Sequence, residues 1–140
     1  MKLVLDTNVI VTAMRSPAGA SAALLVAARR DKVTLLANVA LAVEYEATCL
    51  RAEHVMASGL SLQNVSVFLD AVIALVEPVE SHFLWRPQLR DPADEFVLEA
   101  AANGQANAIV TFNQRDFGTA PGRFGIEVLT PVAALQRIRP

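Results

Sequence analysis

Leu3, Val4 and Leu5 form an unbroken apolar run that stops at Asp6. Successive side chains of a strand point to opposite faces of a sheet, so a strand apolar at every position has no solvent side. It must be covered on both faces, the environment of a parallel sheet between helices. The rest of the chain supplies the partners. Val33–Ala37, Ala108–Thr111 and Ile126–Leu129 read as further strands, and Glu77-Pro78-Val79 permits only a short extended piece. Helices are expected over Val9–Met14, ended by Ser16-Pro17-Ala18-Gly19, and over the Ala- and Leu-rich Ala20–Arg30. Asn38 caps a helix to about Glu53, and Ser61 caps one to about Val76. Asp91-Pro92 joins a capping residue to a proline at the first helical position and starts a helix to about Gly104. Thr130-Pro131 repeats the device. Strands alternating with helices indicate an α/β fold, and 140 residues suit a single domain.

Right-handed crossovers bring the carboxyl ends of parallel strands to one edge, where ligands bind in open α/β sheets. Asp6 lies at one such end and Thr111 at another. Five acidic positions are spread so that they can converge there: Asp6, Glu44, Asp91, Asp94 and Asp116. Carboxylates at strand ends and helix starts hold hard divalent cations through oxygen. A phosphodiester is itself anionic and approaches such a pocket only across Mg²⁺ or Mn²⁺. Each motif also has a plainer reading. Asp6-Thr7-Asn8 is a strand-to-helix turn in which Asp or Asn caps the helix. A phosphatase of the haloacid-dehalogenase type would carry a second acid where Asn8 stands. A receiver domain would need adjacent acids near the first strand and a later Lys. On the helix after Asn38, Leu41, Ala42, Tyr45 and Cys49 form an apolar arc with Glu44 at its edge and Glu46 off it. Asp91, Asp94 and Glu95 crowd one helix start, where they cap the helix and complement its dipole, yet three acids in one turn repel one another. Asp94 is the expected ligand, with Asp91 or Glu95 assisting. Asn113 and Asp116 follow a strand at the same edge as Asp6.

Composition narrows the field. A net charge of −2 argues against coating nucleic acid through bulk basicity. Ten of the 12 basic residues are nevertheless arginines, whose planar fork suits phosphate. Arg51, Arg90, Arg115 and Arg123 lie near the acidic motifs in sequence. The hydrophobic fraction of 54% fits a buried sheet and an apolar dimer face. No apolar stretch reaches a membrane span of about 18 residues. Asp6 interrupts the only N-terminal apolar run, which is not a signal peptide, and a cytoplasmic protein is expected. Cys49 is alone, so neither a disulfide framework nor a thiolate metal site is available, and it reads as a small core residue. His54 and His82 lack ligand spacing and read as surface or loop residues, and Phe83 and Trp85 as packing residues.

LVLDTNVIVTAM, AVEYEATCLR, RDPADEFVLEAA and AIVTFNQRDF, in that order along almost the whole chain, resemble the motifs of the PIN-domain family, particularly the toxin ribonucleases of bacterial and archaeal toxin–antitoxin pairs. The resemblance implies a three-layer α/β/α fold with a parallel sheet of about four to five strands. It also implies an acidic pocket for one or two Mg²⁺ or Mn²⁺ ions, with Asp6, Glu44, Asp94 and Asp116 as ligands. Asn8 and Thr111 resemble the polar residues that tune that pocket. The implied activity is endoribonuclease cleavage leaving a 5′-phosphate and a 3′-hydroxyl, with Arg51, Arg90 or Arg115 orienting the RNA backbone. A cognate antitoxin and a homodimer follow from the same likeness, with Ala20–Ala28 and Leu62–Val76 as the faces to inspect. Many relatives carry Asp where this chain has Asn113. That departure also favours a catalytically weak or inactive PIN-like module that binds RNA or a partner.

Overall fold

The computed structural model describes residues 1–80 and 89–138, so the expectations for His82, Phe83 and Trp85 lie outside the described residues. Five strands form one sheet: β1 (Lys2–Leu5), β2 (Thr34–Ala37), β3 (Val76–Pro78), β4 (Ala108–Val110) and β5 (Glu127–Leu129). Their order is β3-β2-β1-β4-β5 and every neighbouring pair is parallel. β1 is central, and Leu3, Val4 and Leu5 are at most 1% exposed, as a strand apolar on both faces requires.

Seven α-helices flank the sheet among the described residues: α1 (Thr7–Arg15), α2 (Ala20–Arg29), α3 (Val39–Cys49), α4 (Ala52–Ser58), α5 (Leu62–Leu75), α6 (Pro92–Asn103) and α7 (Pro131–Ile138). The chain moves outward from β1 to β2 and β3, then returns to the other side of β1 for β4 and β5. Right-handed connections therefore put α1 to α5 on one face and α6 on the other. α6 packs on β1, β2 and β4, while α2 packs on α1, α5 and α7. This is a three-layer α/β/α arrangement. No single helix among the described residues is long and apolar enough to cross a membrane.

One local expectation is corrected and two details are added. The helix expected from Asn38 to about Glu53 stops at Cys49, and α4 starts after an extended Arg51. No glycine or proline marks this break. α4 instead packs on α1, with Val55 and Leu60 partly buried against the core, which a straight continuation of α3 would not achieve. The extended piece at Glu77 is a fifth strand, with Leu35, Leu36 and Ala37 of β2 in register with Val76, Glu77 and Pro78. Pro78 is tolerated there because β3 is an edge strand. The segment after β4 folds into two 3₁₀ turns, η1 (Gln114–Phe117) and η2 (Pro121–Phe124), around the fully buried Phe117.

Gly104 ends α6 where no larger residue fits. A Cβ there would stand 2.7 Å from Leu36 Cδ1, 2.8 Å from the Ala100 carbonyl and 3.0 Å from Val79 Cγ2. Its φ of −87° is open to any residue, so close approach alone makes the demand. Gly104→Ala is expected to destabilise the protein by about 1–3 kcal/mol through overpacking. Gly122→Ala, where a Cβ meets open space, serves as the near-neutral control in urea unfolding.

Candidate active site

The sheet order reverses between β1 and β4, and the crevice outside their carboxyl ends is the natural ligand site of such a sheet. Leu5 and Val110 are register partners, which brings the next residues, Asp6 and Thr111, side by side. The Asp6 amide continues the ladder to the Val110 carbonyl at 2.9 Å. Asp6 is also the N-cap of α1, and its Oδ1 accepts from the Thr7 amide at 2.8 Å. The buried Thr111 hydroxyl donates to Asp6 Oδ2 at 2.7 Å. Thr111 Oγ1 in turn accepts from the Asn113 amide at 3.0 Å and faces the Asn8 carboxamide nitrogen at 3.4 Å. Both Asp6 oxygens are thus held while each keeps a lone pair for another partner.

Glu44 reaches the same crevice from α3. Tyr45, fully buried, donates its hydroxyl to the Leu5 carbonyl and pins the helix against β1. The phase set by buried Leu41, Tyr45 and Cys49 leaves Glu44 half-buried and facing the cavity, and Glu46 exposed. Asn38 caps α3 by accepting from the Leu41 amide at 2.9 Å and donates to the Phe96 carbonyl of α6 at 3.0 Å. That second bond fixes α3 to the helix carrying Asp94. At the start of α6, Asp91 caps by accepting from the Ala93 amide at 2.9 Å. Asp94 faces the cavity. Glu95 is buried, and its Oε1 accepts from the Leu89 amide, holding the approach to the helix. Asp116 is exposed in the first turn of η1.

Asp6, Asn8, Glu44, Asp91, Asp94, Asn113 and Asp116 line one cavity of about 420 Å³, together with Arg51. Arg90 and Arg115 line an adjoining cavity of about 480 Å³ that shares Asp91, Asp94 and Asp116. Thr111 and Glu95 act from behind the walls. Arg15, Thr12, Thr48 and His54 were not expected in the cavity wall. Arg15 and His54 meet, with Nη1 and Nδ1 3.4 Å apart. A signal for these residues exists in the sequence. Asn8, Thr12 and Arg15 on α1, and Glu44, Thr48 and Arg51 beginning on α3, repeat the i, i+4, i+7 spacing of one helical face.

Gathering acids has an electrostatic cost, visible in their pKa values. Burial first, then the charges of Asp6, Asp91, Asp116 and Glu44, push Asp94 up to about 7. Asp6 is raised by burial against its two hydrogen bonds, with Asp116 and Asp91 adding to the rise. Glu44 is raised by burial and by Asp6 and Asp91. Among the described residues no three acidic, histidine or cysteine side chains already form a metal-holding group. The donor set is nevertheless all oxygen, and its mutual repulsion is the kind a divalent cation relieves, which fits Mg²⁺ or Mn²⁺.

The profile of the PIN domain family matches residues 2–115 of the chain. No sequence among curated proteins matches it. Among solved structures, the fold is similar to that of a chain in the crystal structure of VapBC2 from Rickettsia felis bound to a DNA fragment from their promoter. The TM-score is 0.62 at 15% sequence identity, covering 93% of this chain and 98% of that one. The matched segment runs from β1 through β4 and includes Asp6, Glu44, Asp94 and Thr111. The chain belongs to the PIN-domain family.

Proposed function

We propose that this PIN domain is a Mg²⁺- or Mn²⁺-dependent endoribonuclease, the toxin of a toxin–antitoxin pair. The observation that carries the reading is the convergence of Asp6, Glu44 and Asp94 on one cavity, where burial first, and then the neighbouring acids, raises all three and pushes Asp94 up to about 7. A purely structural pocket gains nothing from confronting these charges, whereas nucleases concentrate perturbed carboxylates where they work.

Asp6 and Asp94 would hold the cation, with Glu44 and Asp116 binding it directly or through water. When bound, the ion supplies the positive charge that lets a phosphodiester enter and activates the attacking water. Thr111 fixes the rotamer of Asp6, so the ligand is oriented before anything binds. Asn8 supports Thr111 and Asp91 holds the helix start. Arg51, Arg90 and Arg115 are suited to backbone phosphates of the RNA.

An antitoxin partner is supported by the likeness to a chain of a VapBC2 assembly. A homodimer and a cytoplasmic location belong to the same reading. Between α2 and α5 lies an apolar groove of about 390 Å³ lined by Leu25, Val26, Phe68 and Leu75, a suitable face for either protein partner. The alternative reading, a weak or inactive module, is favoured by Asn113, a neutral side chain in the wall of the acidic cavity.

Asp6→Asn keeps a side-chain oxygen able to cap α1 and removes the charge. The expected result is a melting temperature close to wild type in chelator and loss of about a hundredfold or more in RNA hydrolysis with Mn²⁺. Full activity in this variant rejects the site.

Asp94 gives a pH test. Its folded-state pKa of about 7 lies above the ordinary carboxyl value, so the folded protein binds this proton more tightly than the unfolded chain. The resulting stability is present below about pH 4 and lost as pH rises through about 7. In chelator, Asp94→Asn is therefore expected to raise the melting temperature at pH 8 and leave it nearly unchanged at pH 4. Mn²⁺ should stabilise wild type at pH 8 and the variant much less. Wild-type protein that Mn²⁺ fails to stabilise supports the inactive module instead.

A further inference from the structure

A hydroxyl buried without a partner keeps an unmet demand, because burial removes the water that would otherwise serve it. Among the described residues two such hydroxyls stand out, on Thr7 and Ser21. Ser21 lines neither cavity at the sheet edge, whereas Thr7, only 7% exposed, lines the one that contains Asp6 and Glu44. Its place in the helix explains why this hydroxyl is left over. A threonine inside a helix can donate to the carbonyl four residues back, as Thr12 does to Asn8 at 2.8 Å. Thr7 is the first residue of α1, and four residues back lies Leu3 of β1. No helical carbonyl is there to receive it.

The acceptors beside it are carboxylates, and they are unequal. Asp6 has both oxygens engaged, one by the Thr7 amide and one by the Thr111 hydroxyl. Glu44 stands on α3, which packs directly on α1. The Thr7 hydroxyl already acts on the Glu44 carboxylate and favours its charged form, yet the two make no hydrogen bond. A donor without an acceptor therefore stands beside an acid that can take it. Such a bond is charge-assisted and strongest to an ionised carboxylate, the form in which an acid binds a metal.

We propose that Thr7 is a positioning residue for Glu44, its hydroxyl closing a hydrogen bond to the Glu44 carboxylate when a divalent cation occupies the cavity. This rests on the metal-dependent nuclease reading above and adds to it a residue that acts on the ion through another side chain. Thr7 serves Glu44 as Thr111 serves Asp6, with one difference. The Thr111 bond is in place before any ion binds, and the Thr7 bond forms only with it. Without the ion the buried hydroxyl weakens the fold, and with the ion it holds a ligand. The two effects have opposite signs, which a merely structural threonine would not show.

Thr7→Val keeps the shape of the side chain and removes the hydroxyl, and Thr7→Ser keeps the hydroxyl. In chelator, Thr7→Val is expected to melt a few degrees above wild type, since an unsatisfied buried group gives way to an apolar one. Mn²⁺ titrated by electron paramagnetic resonance should bind Thr7→Val about tenfold more weakly, with Thr7→Ser close to wild type. Glu44→Ala should weaken Mn²⁺ binding by itself, and adding Thr7→Val to it should weaken binding no further. Three results overturn the assignment and leave the nuclease reading standing. Thr7→Val binds Mn²⁺ as tightly as wild type, or it weakens binding as much without Glu44 as with it, or it melts below wild type in chelator. If wild type binds no Mn²⁺ at all, the nuclease reading fails and the role of Thr7 falls with it.

Discussion

A carboxylate at the end of a fully covered strand is in an unfavourable place unless something holds it. β1 has neighbours on both edges and apolar residues on both faces, so Asp6 emerges from it still only 8% exposed. The Thr111 hydroxyl and the Thr7 amide stabilise the charge there. Those two bonds are supplied by the neighbouring strand and by the helix that Asp6 itself caps. Sheet register, the start of α1 and the orientation of the acid are therefore one arrangement. A slip of a single residue between β1 and β4 would separate Asp6 from Thr111 and break the bond between them.

Around that point the helices bring in charge by their phase. α3 is clamped by Tyr45 on the Leu5 carbonyl, and the position before Tyr45 faces the crevice as a consequence. α6 begins with Asp91 as its cap, which sends Asp94 to the cavity and Glu95 to the Leu89 amide. Repulsion among these acids is offset by the apolar core beneath them, to which β1, β2, β4 and β5 contribute buried residues.

Much of this was legible because the signals are local. The apolar run before Asp6, the caps at Asn38 and Ser61, and the Asp91-Pro92 helix start are each carried by neighbouring residues. The ordered motifs led to the family for the same reason. What was hidden depends on distant partners. Nothing near Leu50 announces a break, since the burial of Val55 and Leu60 against the core redirects the chain. β3 counts as a strand only because β2 lies beside it. The choice between Asp94 and Glu95 turns on the Leu89 amide, outside the helix. Arg15 and His54 lie 39 residues apart and meet only once α4 packs on α1.

The Asn38 carboxamide has a mechanical consequence. Its oxygen caps α3 and its nitrogen holds a carbonyl of α6, and these helices belong to opposite layers of the sandwich. One side chain thus works as a strut across the end of the sheet. Glu44 and Asp94 ride on the two helices it joins, so the gap between them is set by a short rigid link and resists breathing motions of either layer. The jaw of the crevice takes its width from that link.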